Sequence, residues 1–378
     1  MQLDGQVAVI GVGSVGSMAL WRTALRSRDV VGFEAAHSAS DRTAVGGDTR
    51  LFRRAYQEGA KYSGLLAESE RLFLELNDSG GTAFIPCGGL SIGARGGSYM
   101  SALGVSIRET AAEHSVLEHD ELGARYPQHQ LLPNDFGIFD PHAGAIRTDQ
   151  AVLTAVELAK QAGAVVKSHT RIRSVVSHRD HVEISSESER WHFASVVIAG
   201  GAWSSDLLPE RVRLGVYAAR LSLSWFLARD AADYLPERFP IFIRESGGVH
   251  IYGAPTVDGA TVKVSGMTPH TRIEDPDQLV RDLSDVENMA AIDAVSRFLP
   301  GLHPAPVRAD SYPELYSPDD APLVGWVDEM PGVYVATGFS GRGFKIAPGV
   351  GETIAREILG GAPSPELAFL SPQRALSP

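Results

Sequence analysis

QVAVIGVGSVGSMALWRTALRSRDVVGFE, residues Gln6–Glu34, reads in succession as strand, glycine turn, helix, strand and acid. QVAVI is an apolar run of the length of a buried strand, SMALWRTALR continues at helical spacing, and VVGF (Val30–Phe33) is a second short strand. Alternation of this kind predicts parallel strands joined by a right-handed crossover. Between the first strand and the helix, Gly11, Gly13 and Gly16 follow the spacing G-x-G-x-x-G. Gly11 allows the tight turn, Gly13 lets backbone approach a pyrophosphate, and Gly16 lets helix and strand pack closely; the helix start at Ser14 and Val15 offers unpaired N–H groups to phosphate. Glu34 follows Gly16 by 18 residues, at the end of the second strand, where a carboxylate accepts hydrogen bonds from ribose hydroxyls. The unit predicts dinucleotide binding, against the plainer alternative of a structural strand-to-helix turn. An acid at this place repels the 2′-phosphate of NADP and leaves NAD and FAD open.

At 378 residues the chain exceeds one usual compact core, which predicts two domains. A formal net charge of -12 disfavours nucleic acid and anionic membrane as general partners, yet leaves room for a local basic pocket binding a small anion. The start MQLDGQVAVIG lacks the pattern of a secretory signal, and no uncharged apolar run approaches the length of a spanning helix, so the cytoplasm is expected. With Cys87 alone there is no intrachain disulfide and no cysteine-rich metal site. The histidines show no metal-ligand spacing, no G-x-S-x-G elbow is present, and Asp319 and Asp320 beside Pro318 read as a turn. A hydrolase and a metal site are therefore not expected.

Further along, helices are expected over Tyr62–Asn77, Thr148–Ala162, Asp275–Phe298 and Pro348–Leu359. Strands are expected over Val165–Val176, His181–Ser185, Ser195–Trp203 up to its glycines, and VYVATG; the stretch from Arg220 to Val264 is rich enough in β-branched and aromatic residues to form an antiparallel sheet. No linker or repeat separates these segments, so the domains are expected to interleave.

Beyond Glu34, GGDTRLFRRAYQEG (Gly46–Gly59) resembles a segment of the monomeric sarcosine oxidase and N-methyltryptophan oxidase group within the D-amino-acid-oxidase-like FAD superfamily. FDPHAGAIRTDQ (Phe139–Gln150), VVIAGGAW (Val196–Trp203), HIYG (His250–Gly253), VKV around Lys263 and GFSGRGFKIAPGVGE (Gly338–Glu352) follow in the same order. The resemblance spans most of the chain and implies FAD. It implies an α/β fold: a doubly wound, Rossmann-like FAD-binding domain (1–84, 143–215 and 312–378) interleaved with an α+β substrate domain holding a large antiparallel sheet (85–142 and 216–311). Residues implied to contact the cofactor, beyond the glycine turn and Glu34, are Gly47, Asp48, Thr49, Arg50, Val176, Gly200, Trp203, Gly338, Ser340, Gly341, Arg342, Gly343 and Lys345.

Arg53 and Lys345 fall on the family's substrate-carboxylate clamp, a role that suits a bidentate guanidinium with a second cation. Lys263 falls on the lysine that activates dioxygen, Tyr252 on a tyrosine bordering the substrate, and Arg50 beside the flavin. In a β segment Lys263 should lie on the face opposite Val262 and Val264. There are departures. No cysteine stands in DSYPELYSPDD, where the family commonly attaches FAD, so noncovalent FAD is expected. Gly46 and Met267 replace two histidines near the substrate, which should open room and favour a bulkier or less polar amino acid than sarcosine; Arg342 replaces a third. The resemblance implies an oxidase of a secondary, N-methyl or cyclic amino acid that yields an imine and hydrogen peroxide, with the amino acid and dioxygen as partners and a monomer or small homo-oligomer as its state. The alternatives are a flavin dehydrogenase, a tailoring oxidase acting on a larger amine-containing intermediate, and a dinucleotide-binding protein without turnover.

Overall fold

The computed structural model of the chain describes residues 2–266 and 271–376, so the expectation for Met267 lies outside the described residues. Strand β1 (Gly5–Ile10), helix α1 (Ser14–Ala24) and strand β2 (Val30–Phe33) form in the order set by the sequence. β1 pairs in parallel with β2, Val7 opposite Val30 and Ile10 opposite Phe33, and on its other edge in parallel with Arg190–Ile198. Val165–Lys167 extends the parallel run past β2, and Val333–Thr337 extends it past Arg190–Ile198. Antiparallel strands at Ser174–Ser177, Val182–Ser185 and Leu323–Trp326 bring this sheet to eight.

Its faces divide β1 residue by residue. Val7 and Val9 enter one core with Met18 and Leu20 of α1 and with Val350 and Ile354 of the C-terminal helix, whereas Ala8 and Ile10 enter another with Trp191, Phe193 and Leu323. Alternate side chains of a strand face opposite ways, so a sheet covered on both faces needs strands that are apolar throughout. That is why QVAVI carries no polar alternation.

The second sheet has nine strands. Tyr217–Ala228, Thr261–Gly266, Val249–Ala254 and Ile241–Ser246 run antiparallel in that order, and Gly89–Ala94 joins parallel to Ile241–Ser246. Leu302–Tyr316 lies along the length of Tyr217–Ala228. The domain boundary placed at 312 falls inside this unbroken strand. A small third sheet joins strand β3 (Thr49–Phe52) to Gly144–Arg147 and Phe84–Ile85.

Three expected elements differ. Val165–Val176 is two strands, because His169 takes a left-handed φ of 54° and the N–H groups of His169 and Thr170 turn to Ala36 O and Glu34 O. Of Asp275–Phe298, only Asp285–Phe298 is α-helix: Pro276 opens a single separate turn, and Ser284 with Glu287 forms a reciprocal capping box. The last helix starts at Gly343 and runs to Ile358 through Pro348, so Lys345 stands in its first turn.

Candidate active site

The glycine turn separates by function. A Cβ on Gly11, whose φ is +84°, would lie 2.6 Å from Ala199 O, and a Cβ on Gly16 would lie 1.8 Å from Gly11 O. A Cβ on Gly13 would meet nothing nearer than Val45 Cγ2 at 3.8 Å. Two glycines are thus required by contacts within the chain, while Gly13 leaves open space beside a helix start. α1 begins with no side-chain cap and no acid in its first turn, so its first N–H groups are free to bind an anion. Glu34 is buried, with Oε2 accepting from Val12 N at 2.9 Å and Oε1 from Ala36 N at 3.0 Å. Each oxygen keeps acceptor capacity for a ribose hydroxyl.

A cleft of about 300 Å³ is lined by Ser14, Arg50, Arg53, Tyr252, Lys263 and Lys345, and by Gly338, Ser340, Gly341, Arg342 and Gly343. It brings the start of α1 and the proposed substrate residues into one space. Gly338 and Gly341 have φ of 63° and 76°, backbone that suits glycine, and Ser340 joins them at 50°, its Oγ accepting from Ser317 N at 3.0 Å. Not every expected residue reaches the cleft. Val176 is exposed on the edge strand opposite Glu183, and Trp203 Nε1 donates to Asp277 Oδ1 at 2.8 Å. After Ile198 it is Gly201, the neighbour of Gly200, that lines the cleft.

Lys263 faces the cleft while Val262 and Val264 enter the core, as alternation requires. Its Nζ donates to Gly47 O at 3.2 Å and to Thr49 O. Those carbonyls belong to a tight turn in which Thr49 N donates to Gly47 O at 2.6 Å across Asp48, held at φ 61°. Burial and the nearby Arg50 drive the Lys263 ammonium well below its ordinary pKa, against the opposing pull of Asp48. Arg50 donates to Thr49 O at 2.8 Å and Ala44 O at 3.0 Å.

Arg53, just past β3, and Lys345 approach the same ring. Arg53 Cζ lies 5.5 Å and Lys345 Nζ 5.0 Å from the centroid of Tyr56. Arg53 Nη1 donates to Tyr99 OH at 3.2 Å, and its Nε is buried with no hydrogen-bond partner. Burial works to lower the Arg53 pKa, but Tyr99, Glu58, Tyr56 and Asp140 prevail and raise it. Burial, helped by Arg53 and Arg342, draws Lys345 down to about 7 against Glu58 and Glu314. Burial lifts the half-buried Tyr252 phenol to about 12.

Residues that the sequence did not single out complete the wall. Glu58 Oε1 sits 3.6 Å from Arg342 Nε, while its Oε2 is buried without a partner; Glu314 Oε2 is likewise buried and unpartnered. Arg342 also donates to Asp320 O, which gives it a place: it braces Glu58 against the glycine loop. Tyr56 and Glu58 stand inside the quoted RRAYQEG, and His250 inside HIYG, so the motifs contained them without weighting them. Nothing marked Tyr99, which comes from another segment, and Glu314 stands in DSYPELYSPDD, read only for its lack of a cysteine.

One expectation is corrected. Gly46 opens no room: a Cβ there would lie 2.2 Å from a ring carbon of the fully buried Tyr312, whose side chain fills the space. Cys87 is absent from the cleft lining, its thiol raised by burial and directed at Gly88 O, 3.6 Å away. Asp319 caps a turn, accepting from Ala321 N at 3.1 Å and pairing with Arg374 at 2.9 Å.

The open face at Gly13, the uncapped helix and the buried Glu34 fit the ADP half of FAD, and the cleft beyond them runs from Ser14 to the glycine loop at Gly338–Gly343. The family model described as FAD dependent oxidoreductase (DAO) matches residues 6–357. The monomeric sarcosine oxidase of Streptomyces avermitilis is 29% identical over 97% of this chain and 97% of its own. The N-methyl-L-tryptophan oxidase of Salmonella typhi is 29% identical over 95% and 96%. Among solved structures, NikD, an amino acid oxidase essential for nikkomycin biosynthesis, superposes with a TM-score of 0.85 at 19% identity, covering 98% of both chains. The L-proline dehydrogenase of P. horikoshii gives 0.82 at 19% identity, covering 99% and 98%. At those identities the structures speak for the fold alone.

Proposed function

The chain belongs to the DAO family of FAD-dependent oxidoreductases, with FAD as its cofactor, and from that premise we propose that it oxidises the C–N bond of a secondary, N-methyl or cyclic amino acid. The product is an imine that water can hydrolyse, and dioxygen is the final acceptor, reduced to hydrogen peroxide. The observation that carries the reading is the convergence of Arg53 and Lys345 on Tyr56, inside the cleft that also reaches Ser14.

Bound FAD supplies the two-electron acceptor. The side chains supply position and charge. Arg53 presents a guanidinium with one nitrogen bound to Tyr99 and Nε unused, and a carboxylate arriving there would meet a ready donor in a buried setting. The same carboxylate raises the pKa of Lys345, which then binds it as a cation. Tyr252, Ile243 and Leu51 enclose the rest of the amino acid and hold its reacting C–H in one orientation. Lys263, fixed by two carbonyls, is the cation offered to dioxygen. With the one cysteine outside the cleft, no cysteinyl link to FAD forms, and the cofactor is held noncovalently in this reading.

A second reading is a dehydrogenase delivering its electrons to an acceptor other than dioxygen. A peroxide-coupled screen of N-methyl, cyclic and aromatic amino acids on the purified yellow protein tests the first reading. Flavin reduction by an amino acid without peroxide would select the second. Acid precipitation should release the flavin into the supernatant; colour retained in the pellet would refute noncovalent binding.

A further inference from the structure

His250 and Glu245 are direct cross-strand partners on the antiparallel ladder between Ile241–Ser246 and Val249–Ala254. His250 Nδ1 lies 2.9 Å from Glu245 Oε2, and Ser98 Oγ donates to Glu245 Oε1 at 3.0 Å, so the carboxylate is fixed from its other side. A carboxylate on Nδ1 selects the tautomer with its proton on Nδ1, which leaves Nε2 with a lone pair. No described residue bonds Nε2, and His250 lines the cleft. Its ring is also 5.8 Å from that of Tyr99, whose hydroxyl binds Arg53 and Ser91. The acceptor is therefore tied through one side chain to the residue proposed to hold the carboxylate.

We propose that His250, oriented by Glu245, is the residue that accepts a hydrogen bond from the ammonium group of the bound amino acid. This rests on the amino-acid reading of the same cleft. A clamp selecting the carboxylate form admits a zwitterion, and its ammonium, taken out of water, needs an acceptor. Glu58 Oε2 and Glu314 Oε2 are further unpartnered acceptors on the same wall, and an ammonium held by either would leave the response to pH unchanged when His250 is replaced. The groups facing His250 are Glu245 on the neighbouring strand, Tyr99 on the helix Ser98–Thr110, and Arg53 and Glu58 after β3. Burial foremost, with Arg53, lowers the His250 pKa against Glu245 and Glu58, so the imidazole is neutral and accepting at pH 7 and above.

The test compares two ligands on the holoenzyme, read by perturbation of the flavin absorbance. α-Aminoisobutyrate has no α-hydrogen and cannot be oxidised; pivalate has the same shape with a methyl in place of the ammonium. Lys345 anchors both carboxylates, so its titration cancels in the ratio of their dissociation constants. As pH falls from 8 to 5 His250 gains a charge that repels the ammonium, and the ratio of α-aminoisobutyrate to pivalate should rise severalfold in the wild type, below the ordinary imidazole range because burial lowers its pKa. In His250→Asn, which keeps an N–H for Glu245 and loses Nε2, the ratio should stay flat. Glu245→Gln, which keeps the shape, should move the rise to lower pH. A ratio that rises equally in wild type and His250→Asn, or stays flat in both, overturns the proposal while leaving the carboxylate clamp intact. If neither ligand perturbs the flavin, the amino-acid reading fails and this proposal fails with it.

Discussion

The two ends of the cleft are built differently. At the nucleotide end both oxygens of Glu34 hold backbone N–H groups, and Gly11 and Gly16 are fixed by close backbone contacts, Gly11 with Ala199 and Gly16 with Gly11. At the substrate end Arg53 Nε, Glu58 Oε2, Glu314 Oε2 and Tyr56 OH are buried without partners, and Lys345 is pulled to about 7. Buried polar groups without partners cost stability, and the three of these that line the cleft, on Arg53, Glu58 and Glu314, are placed to meet a ligand. The nucleotide end is organised by the chain itself; the substrate end is completed by what binds there.

Breaking the substrate end should cost most. Arg53→Met leaves a carboxylate facing a buried apolar group, and kcat/KM for an amino acid should fall on the order of 10²- to 10³-fold, mostly in KM. Lys263→Met should slow reoxidation by dioxygen about 10²-fold while sparing flavin reduction, measured by anaerobic and aerobic stopped flow. Equal loss of both half-reactions would remove the role given to Lys263.

At the nucleotide end the glycines provide a sharper contrast. Gly13→Ala should fold normally, since its Cβ meets no protein atom within 3.8 Å, yet bind FAD about tenfold more weakly because the methyl occupies ligand space. Gly16→Ala drives a methyl against Gly11 O and should lower the thermal midpoint of the FAD-free protein as well. Identical behaviour of the two variants would contradict the division between them.

The smallest effect is a pH dependence. Lys345 in the free cleft changes charge at about 7, and only its protonated form adds attraction for a carboxylate. Pivalate affinity should therefore be level below pH 7 and decline above it, by about three- to eightfold between pH 6.5 and 8 by linkage, since Arg53 holds on throughout. Lys345→Gln should abolish that slope.

The same contrast explains what the sequence made legible. From Gln6 to Glu34 local spacing and residue type sufficed to place strand, turn, helix and acid, although the unit also packs on distant chain such as Ala199 and Val350. Lys263 was legible because alternation fixes the face of a strand residue. Tyr99 comes from a helix far from the motifs and Glu314 from a long strand whose segment was read only for its lack of a cysteine, and only tertiary contact brings them to Arg53 and Lys345. Gly46 was misread for the same reason: its vacancy is filled by Tyr312, 266 positions away, which no local pattern announces. The long helix expected from Asp275 was shortened by a local signal that was present, Ser284 three residues before Glu287, outweighed by the surrounding helical spacing.

The most direct measurement is anaerobic mixing of the yellow holoenzyme with N-methyl and cyclic amino acids, compared with the corresponding amines that lack a carboxylate. Flavin absorbance should bleach with at least one of the amino acids and not with its decarboxylated amine, and an Arg53→Met/Lys345→Met variant that retains its flavin should lose this preference. A colourless protein, or bleaching that is indifferent to the carboxylate, would contradict the proposed function.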